Sequence, residues 1–221
     1  SMKNFSQSLM ANNSLRKLFL NNNNLGDEAC EVISLFLKKT KTLKVLNLDY
    51  NEIRVDGCES LSEALKVNTS LKKLSLTGNE FGDEGCGVLS GFLEGNSTLI
   101  SLVLRENKIW PNGCEEFARK LQKNSSLKKI DLGDNGFSRY KMGKIFMETL
   151  FENNSLIKLN PKPNVEYRDE SQFLLNCNRW KWSVETHIKF PKTFRKAIPT
   201  FYLVLKRMQK ELHLMIPKFI K

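Results

Sequence analysis

Apolar residues along the chain follow two rhythms that alternate at a fixed distance. Leu15, Leu43, Leu71, Leu99 and Leu127 stand 28 residues apart, and each opens the pattern L-x-x-[LI]-x-L-x-x-N-x-[LIF]. The copies read "LRKLFLNNNNL", "LKVLNLDYNEI", "LKKLSLTGNEF", "LISLVLRENKI" and "LKKIDLGDNGF". Within a copy, leucines separated by one residue, such as Leu74 and Leu76, put their side chains on one side of an extended backbone, and Lys73, Ser75 and Thr77 take the other. Beyond the copy the spacing changes to three and four, as in Cys58, Leu61, Ala64 and Leu65 or Cys86, Leu89, Phe92 and Leu93, which is one face of a short helix. Strand, turn and helix therefore repeat as a unit. Such a unit cannot bury its apolar face alone, so neighbours must stack.

Polar residues keep the same period. Asn23, Asn51, Asn79, Asn107 and Asn135 share the slot after the strand. There an amide offers donors and an acceptor to turning backbone, and stacked copies are expected to form a ladder. Asn68, Asn96 and Asn124 close the helices, where a left-handed conformation is expected of them. Cys30, Cys58, Cys86 and Cys114 occupy one position on four successive helices. Packed helices lie about 8–10 Å apart, while disulfide partners need Cα atoms within about 7 Å. A metal needs several ligands converging on one ion. The thiols are therefore expected to be free core fillers, as in a reducing compartment.

The pattern resembles the leucine-rich repeat, and the 28-residue period with the helical half L-G-D-E-x-C-x-x-[LI] resembles its ribonuclease-inhibitor-like subtype. The resemblance implies an α/β solenoid with parallel strands on a concave face and helices on a convex face. The expected array spans 1–160: a partial N-terminal repeat, in which Phe5, Leu9 and Asn12 align with Leu61, Leu65 and Asn68, then about five repeats. The fifth departs from the pattern, since "GFSRYKMG" replaces the usual turn and Leu156 follows Leu127 by 29 residues. A connector is expected over 161–172. A basic, aromatic-rich, mainly helical segment is expected over 173–221, its apolar stripe of Phe194, Ile198, Phe201, Leu205, Met208, Leu212 and Met215 interrupted by Pro199. Its W-S-x-E-x-H-x-x-F-P-x-x-F-R string is similar to a C-terminal element of protist repeat proteins. The segment is expected to cap the open end of the array.

Charge matters mainly in that segment. The chain carries a net +11, and residues 176–221 hold eleven Lys or Arg against two acids, a net +9, which leaves +2 for the rest. Arg179, Lys181, Lys189, Lys192, Arg195, Lys196, Lys206, Arg207 and Lys210 are an alternative binding surface for nucleic acid or an anionic membrane. The chain has no apolar run of about 18 residues and no basic-then-apolar leader. An intracellular, cytoplasmic place is the expectation.

Reactive chemistry is sparse. The two histidines, His187 and His213, lie in the C-terminal segment, and a Cys177–His187 nucleophile and base lacks a recognisable orienting partner. The sequence contains neither a phosphate-binding glycine loop nor zinc-ligand spacing. A chain that is not an enzyme and takes no cofactor, metal or small-molecule substrate is expected. Its work then falls to the surface, where outward strand positions line the hollow: Phe19, Asn47, Ser75, Val103 and Asp131 in one column, and Asn21, Asp49, Thr77, Arg105 and Gly133 in the next. Tyr50, Glu106 and Asp134 stand at the rim. The first expectation is a protein partner on this face. Because such repeats also resemble those of the Ran GTPase activator and of tropomodulin, the alternative is a regulator of a small GTPase or of actin.

Overall fold

A computed structural model describes residues 2–137, 145–146, 149–150 and 152–160. In order, these form α1 (Met2–Ala11), β1 (Lys17–Phe19), α2 (Gly26–Lys39), β2 (Val45–Asn47), α3 (Val55–Val67), β3 (Lys73–Ser75), α4 (Gly82–Leu89), β4 (Ser101–Val103), α5 (Pro111–Leu121), β5 (Lys129–Asp131) and β6 (Lys158–Asn160). The six strands make one parallel sheet in sequence order. Every pairing from β1 to β5 joins residues 28 apart, as in Leu46 with Leu74 and Leu74 with Leu102. The last keeps the ladder although the spacing is 29, with Lys129 paired to Lys158. The expected connector and C-terminal segment, with Cys177, His187 and the nine basic residues from Arg179 to Lys210, lie outside the described residues.

The two rhythms meet in one core. Leu43, Leu46 and Leu48, their counterparts at 71, 74, 76, 99, 102, 104, 127, 130 and 132, and Leu156 and Leu159 are all buried. Helix positions Phe36, Leu61, Leu65, Phe92, Phe117 and Leu121 complete it. Leu15, Leu18 and Leu20 of the first unit are only half-buried, because β1 is an edge strand of the sheet among the described residues. α4 tightens after Leu89 into a 3-10 turn over Ser90–Glu94. Gly85, Gly87, Gly91 and Gly95 weaken that helix, yet Phe92 and Leu93 still reach the core. Among the described residues, no helix is long and apolar enough to cross a membrane.

All four repeat cysteines are free and buried. Burial, with Asp27 nearby, pushes the Cys30 thiol up to about 12, and burial, with Glu115 and Asp83 nearby, does the same for Cys114. Cys58 and Cys86 are also raised, chiefly by burial. Thiols that resist ionisation are poor nucleophiles and poor metal ligands. Among the described residues, no group of histidine, cysteine and carboxylate is arranged to hold a metal.

The post-strand asparagines form the expected ladder. Asn79 Oδ1 accepts from the backbone N–H groups of Asn51 (3.0 Å) and Ile53 (3.1 Å) in the preceding unit, and its Nδ2 donates to the carbonyls of Leu48, Leu76 and Thr77. Asn51 serves Asn23 and Leu25 in the same way, and Asn135 serves Asn107 and Ile109. The helix-closing asparagines differ from expectation. Asn68 is extended, at φ −73° and ψ 127°, because its side chain does the work that a left-handed backbone was expected to do. Its Oδ1 accepts from Ser70 and Leu71 N–H, and its Nδ2 donates to Leu37 O of the preceding helix at 2.6 Å. Asn96, Asn124 and Asn153 repeat this bonding. A second ladder thus runs along the helix ends and satisfies carbonyls that a terminating helix leaves open.

Helix starts alternate between two kinds. Gly26 and Gly82, 56 residues apart, have φ of 61° and 65°, and their N–H groups donate to Asn51 O and Asn107 O of the following unit. Arg54 and Trp110, the equivalent residues between and after them, are extended, and no side chain of their own unit caps the helix. The caps come from the preceding unit. Asp27 Oδ1 accepts from Arg54 N (2.8 Å) and Gly57 N (3.0 Å), and Asp83 Oδ1 accepts from Trp110 N (2.6 Å). A carboxylate at a helix N-terminus satisfies open donors and complements the helix dipole. Gly57 and Gly113 allow the approach, since a Cβ at either would collide with that aspartate.

Candidate functional site

The sheet presents three columns of side chains and a rim. Residues 17, 45, 73, 101, 129 and 158 start the strands, residues 19, 47, 75, 103, 131 and 160 end them, and residues two further on lead into the turn. At the next position the backbone is left-handed: Asn22 (φ 60°), Tyr50 (54°), Gly78 (66°), Glu106 (53°) and Asp134 (54°). In Asn22, Tyr50, Gly78 and Glu106 the backbone N–H is tied to a carbonyl of the next unit, as in Tyr50 N to Thr77 O at 2.7 Å and Gly78 N to Arg105 O at 2.9 Å. A left-handed step turns these side chains to the sheet's edge.

Most of the expected surface residues are accessible. Phe19 is 60% exposed and Tyr50 45%, while Asn21, Glu106 and Asp134 are also exposed. Asn47, Asp49, Ser75, Val103, Arg105 and Asp131 are half-buried. Thr77 and Gly133 are buried, contrary to their expected place lining the hollow: the longer Asp49 and Arg105 occupy the position of Thr77 in the units on either side, and Gly133 has no side chain to reach past the Arg105 guanidinium lying on it.

Several of these residues hold one another. Asp49 accepts from Ser75 Oγ (2.6 Å), Thr77 N (2.7 Å) and Asn47 Nδ2 (2.9 Å). Asp131 accepts from Gly133 N (2.9 Å) and Asn160 Nδ2 (2.7 Å), and it shares Arg105 with Asp134. These networks brace the floor of the hollow and leave Asp49 little free capacity.

At the rim, Tyr50, Gly78, Glu80, Glu106, Lys108, Trp110, Asp134, Asn135 and Gly136 enclose an open cleft of about 500 Å³. The Tyr50 ring lies on Gly78, and a Cβ at Gly136 would meet the Trp110 indole at 2.6 Å, so glycines one unit on make room for both aromatics. Trp110 is 58% exposed. The Tyr50 hydroxyl donates to Glu106 at 3.3 Å, and the Glu106 carboxylate holds the phenol above its usual range. Lys108 Nζ pairs with Glu80 at 2.7 Å.

Glu80, Lys108 and Trp110 are not among the surface residues expected from the sequence. A signal existed only for the Tyr50 side of the cleft: Gly78 holds the slot that Tyr50 and Glu106 occupy in the neighbouring units, so the Tyr50 ring has space to lie over it. The row of Lys17, Lys73, Lys129 and Lys158 at the strand starts was equally readable from the period.

Comparison with known proteins agrees with this geometry. The sequence profile described as "Leucine Rich repeat" matches residues 11–34, 40–62 and 67–90. The fold is that of a leucine-rich-repeat solenoid, with repeats matched over those residues. No curated protein matches the sequence. Among solved structures, the fold is similar to the tropomodulin C-terminal domain of Caenorhabditis elegans, with a TM-score of 0.61 and 19% identity, over 70% of this chain and 94% of that one. It is also similar to the actin-binding site 2 of leiomodin-1, with a TM-score of 0.57 and 19% identity, over 81% and 88%. A third likeness is to a structure of the yeast Rad7 and Elc1 complex, with a TM-score of 0.51 and 18% identity, over 78% of this chain and 40% of that one.

Proposed function

We propose that the chain is a non-catalytic protein-interaction module of the ribonuclease-inhibitor-like subtype that binds a polypeptide across its concave face and C-terminal rim. The observation that carries the reading is the set of large apolar side chains, Phe19, Tyr50 and Trp110, left exposed along a sheet whose backbone is fixed by two asparagine ladders. Rigid aromatics on a preorganised scaffold anchor interfaces at small entropic cost. The 28-residue period and the alternating helix starts support the subtype. Four unpaired, buried thiols support an intracellular setting. The test is affinity capture from the source cell with wild-type protein and with a Phe19, Tyr50 and Trp110 triple alanine variant. All three side chains are exposed, so the variant keeps its core. Partners should be lost with the variant; equal recovery would sink the reading.

Actin is a second reading, favoured by similarity to solved structures named for tropomodulin and for a leiomodin actin-binding site over nearly their whole lengths. Co-sedimentation with filamentous actin decides it, and protein left wholly in the supernatant removes it.

A further inference from the structure

The charge across the concave face is polarised. Lys17, Lys73, Lys129 and Lys158 stand in one row at the strand starts, and none forms an ion pair with another described residue. The opposite edge carries Glu80, Glu106 and Asp134 in the rim cleft. Lys108 offsets Glu80, and Arg105 offsets Asp134. Glu106 forms no ion pair with another described residue, although Lys108 lines the same cleft, and its oxygens take only the Tyr50 hydroxyl. A carboxylate has about four acceptor sites, so most of its capacity is open. Two exposed aromatic rings, Tyr50 and Trp110, stand in the same cleft. An acidic group with spare acceptors beside the faces of aromatic rings attracts a cation through charge and ring quadrupole together.

We propose that the rim cleft receives an arginine side chain from a basic segment of a partner protein. Guanidinium is planar and weakly hydrated, stacks on indole and phenol, and presents paired donors to a carboxylate. The lysine row repels a basic segment from the strand starts and so steers it to the rim. The inference rests on the protein-binding reading above and specifies the chemistry of the partner.

The experiment is a fluorescence-anisotropy titration of the full chain with a labelled glycine–arginine heptapeptide and with the same peptide carrying neutral citrulline. The arginine peptide should saturate below about 1 mM and bind at least about tenfold more tightly than its citrulline form. Trp110→Ala should weaken it by about three- to tenfold, and Glu106→Gln by about as much. Trp110→Phe should restore most of the loss. Lys108→Gln, which removes a competing cation and frees Glu80, should tighten binding. Arginine and citrulline peptides of equal affinity would overturn the proposal, as would binding indifferent to all four variants. A zero-length crosslink joining Glu106 or Asp134 to a lysine of residues 176–221 in the free protein would also overturn it, by giving the cleft to the chain's own basic segment. A flat titration ends this inference even where the triple alanine variant loses its partners, whereas equal partner recovery ends the reading beneath it.

Discussion

Replacing Asn79 by alanine tests the first ladder at its centre. The side chain is 1% exposed and makes five hydrogen bonds. Two of its acceptors keep other partners: Leu76 O also accepts from Asn107 Nδ2, and Thr77 O from Tyr50 N. Three buried groups lose theirs, namely Asn51 N, Ile53 N and Leu48 O. An unsatisfied buried polar group costs about 1–3 kcal/mol, and a water entering the vacated space recovers part of that. The expected loss is about 3–5 kcal/mol, a large share of the roughly 5–15 kcal/mol that holds a domain folded. With a urea slope of about 2 kcal/mol/M, the unfolding midpoint should fall by about 1.5–2.5 M. Asn23→Ala is the internal control. That residue is exposed, its Nδ2 donates to Leu20 O and Asn21 O, and Leu20 O is also held by Asn51. Its loss should stay under about 1 kcal/mol. Equal midpoint shifts for the two variants, or a shift for Asn79→Ala as small as that expected of Asn23→Ala, would refute this account of the ladder.

Asp27→Ala removes the acceptor of Arg54 N and Gly57 N, so α3 should lose about 1–2 kcal/mol in urea denaturation, while Glu28→Ala, one residue on and exposed, should be near neutral. Stability should also fall in alkali. Burial raises the Cys30 and Cys114 thiols to about 12 from an ordinary 9.0, so the folded form retains protons that the unfolded chain releases. The stabilisation is complete below pH 9 and is lost as pH rises towards 12, by up to about 1.4 kcal/mol per pH unit for each thiol. A Cys30→Ala, Cys114→Ala variant should therefore show a shallower decline of unfolding free energy between pH 9 and 11 than the wild type.

The array was legible because its period is long enough to be unmistakable and its two apolar rhythms report strand and helix directly. The leucine columns, the first asparagine ladder and the buried thiols each follow from one residue type in one slot. Asn68 shows where that reasoning stops. Composition alone made it a left-handed helix closer, whereas its bonds to Leu37, Ser70 and Leu71 depend on which unit lies beside it. The cleft was hidden for the same reason. Tyr50 and Glu106 could be placed at the rim, but Trp110 joins them through contact with Gly136 in the following unit, and Glu80 and Lys108 meet only across neighbouring turns. Thr77 looked accessible because alternation tells which side a residue takes and not how tall its neighbours are.

The borrowed helix caps set a rule for how an array of this design can lengthen. Each Gly-Asp unit lends its aspartate to the unit after it, and the receiving unit, with Val55 or Pro111 in that place, lends none. Excising 28 residues would keep every leucine in step yet set two lenders or two borrowers side by side. Excising or duplicating 56 leaves every donor matched, so the heritable quantum of such a protein is the pair.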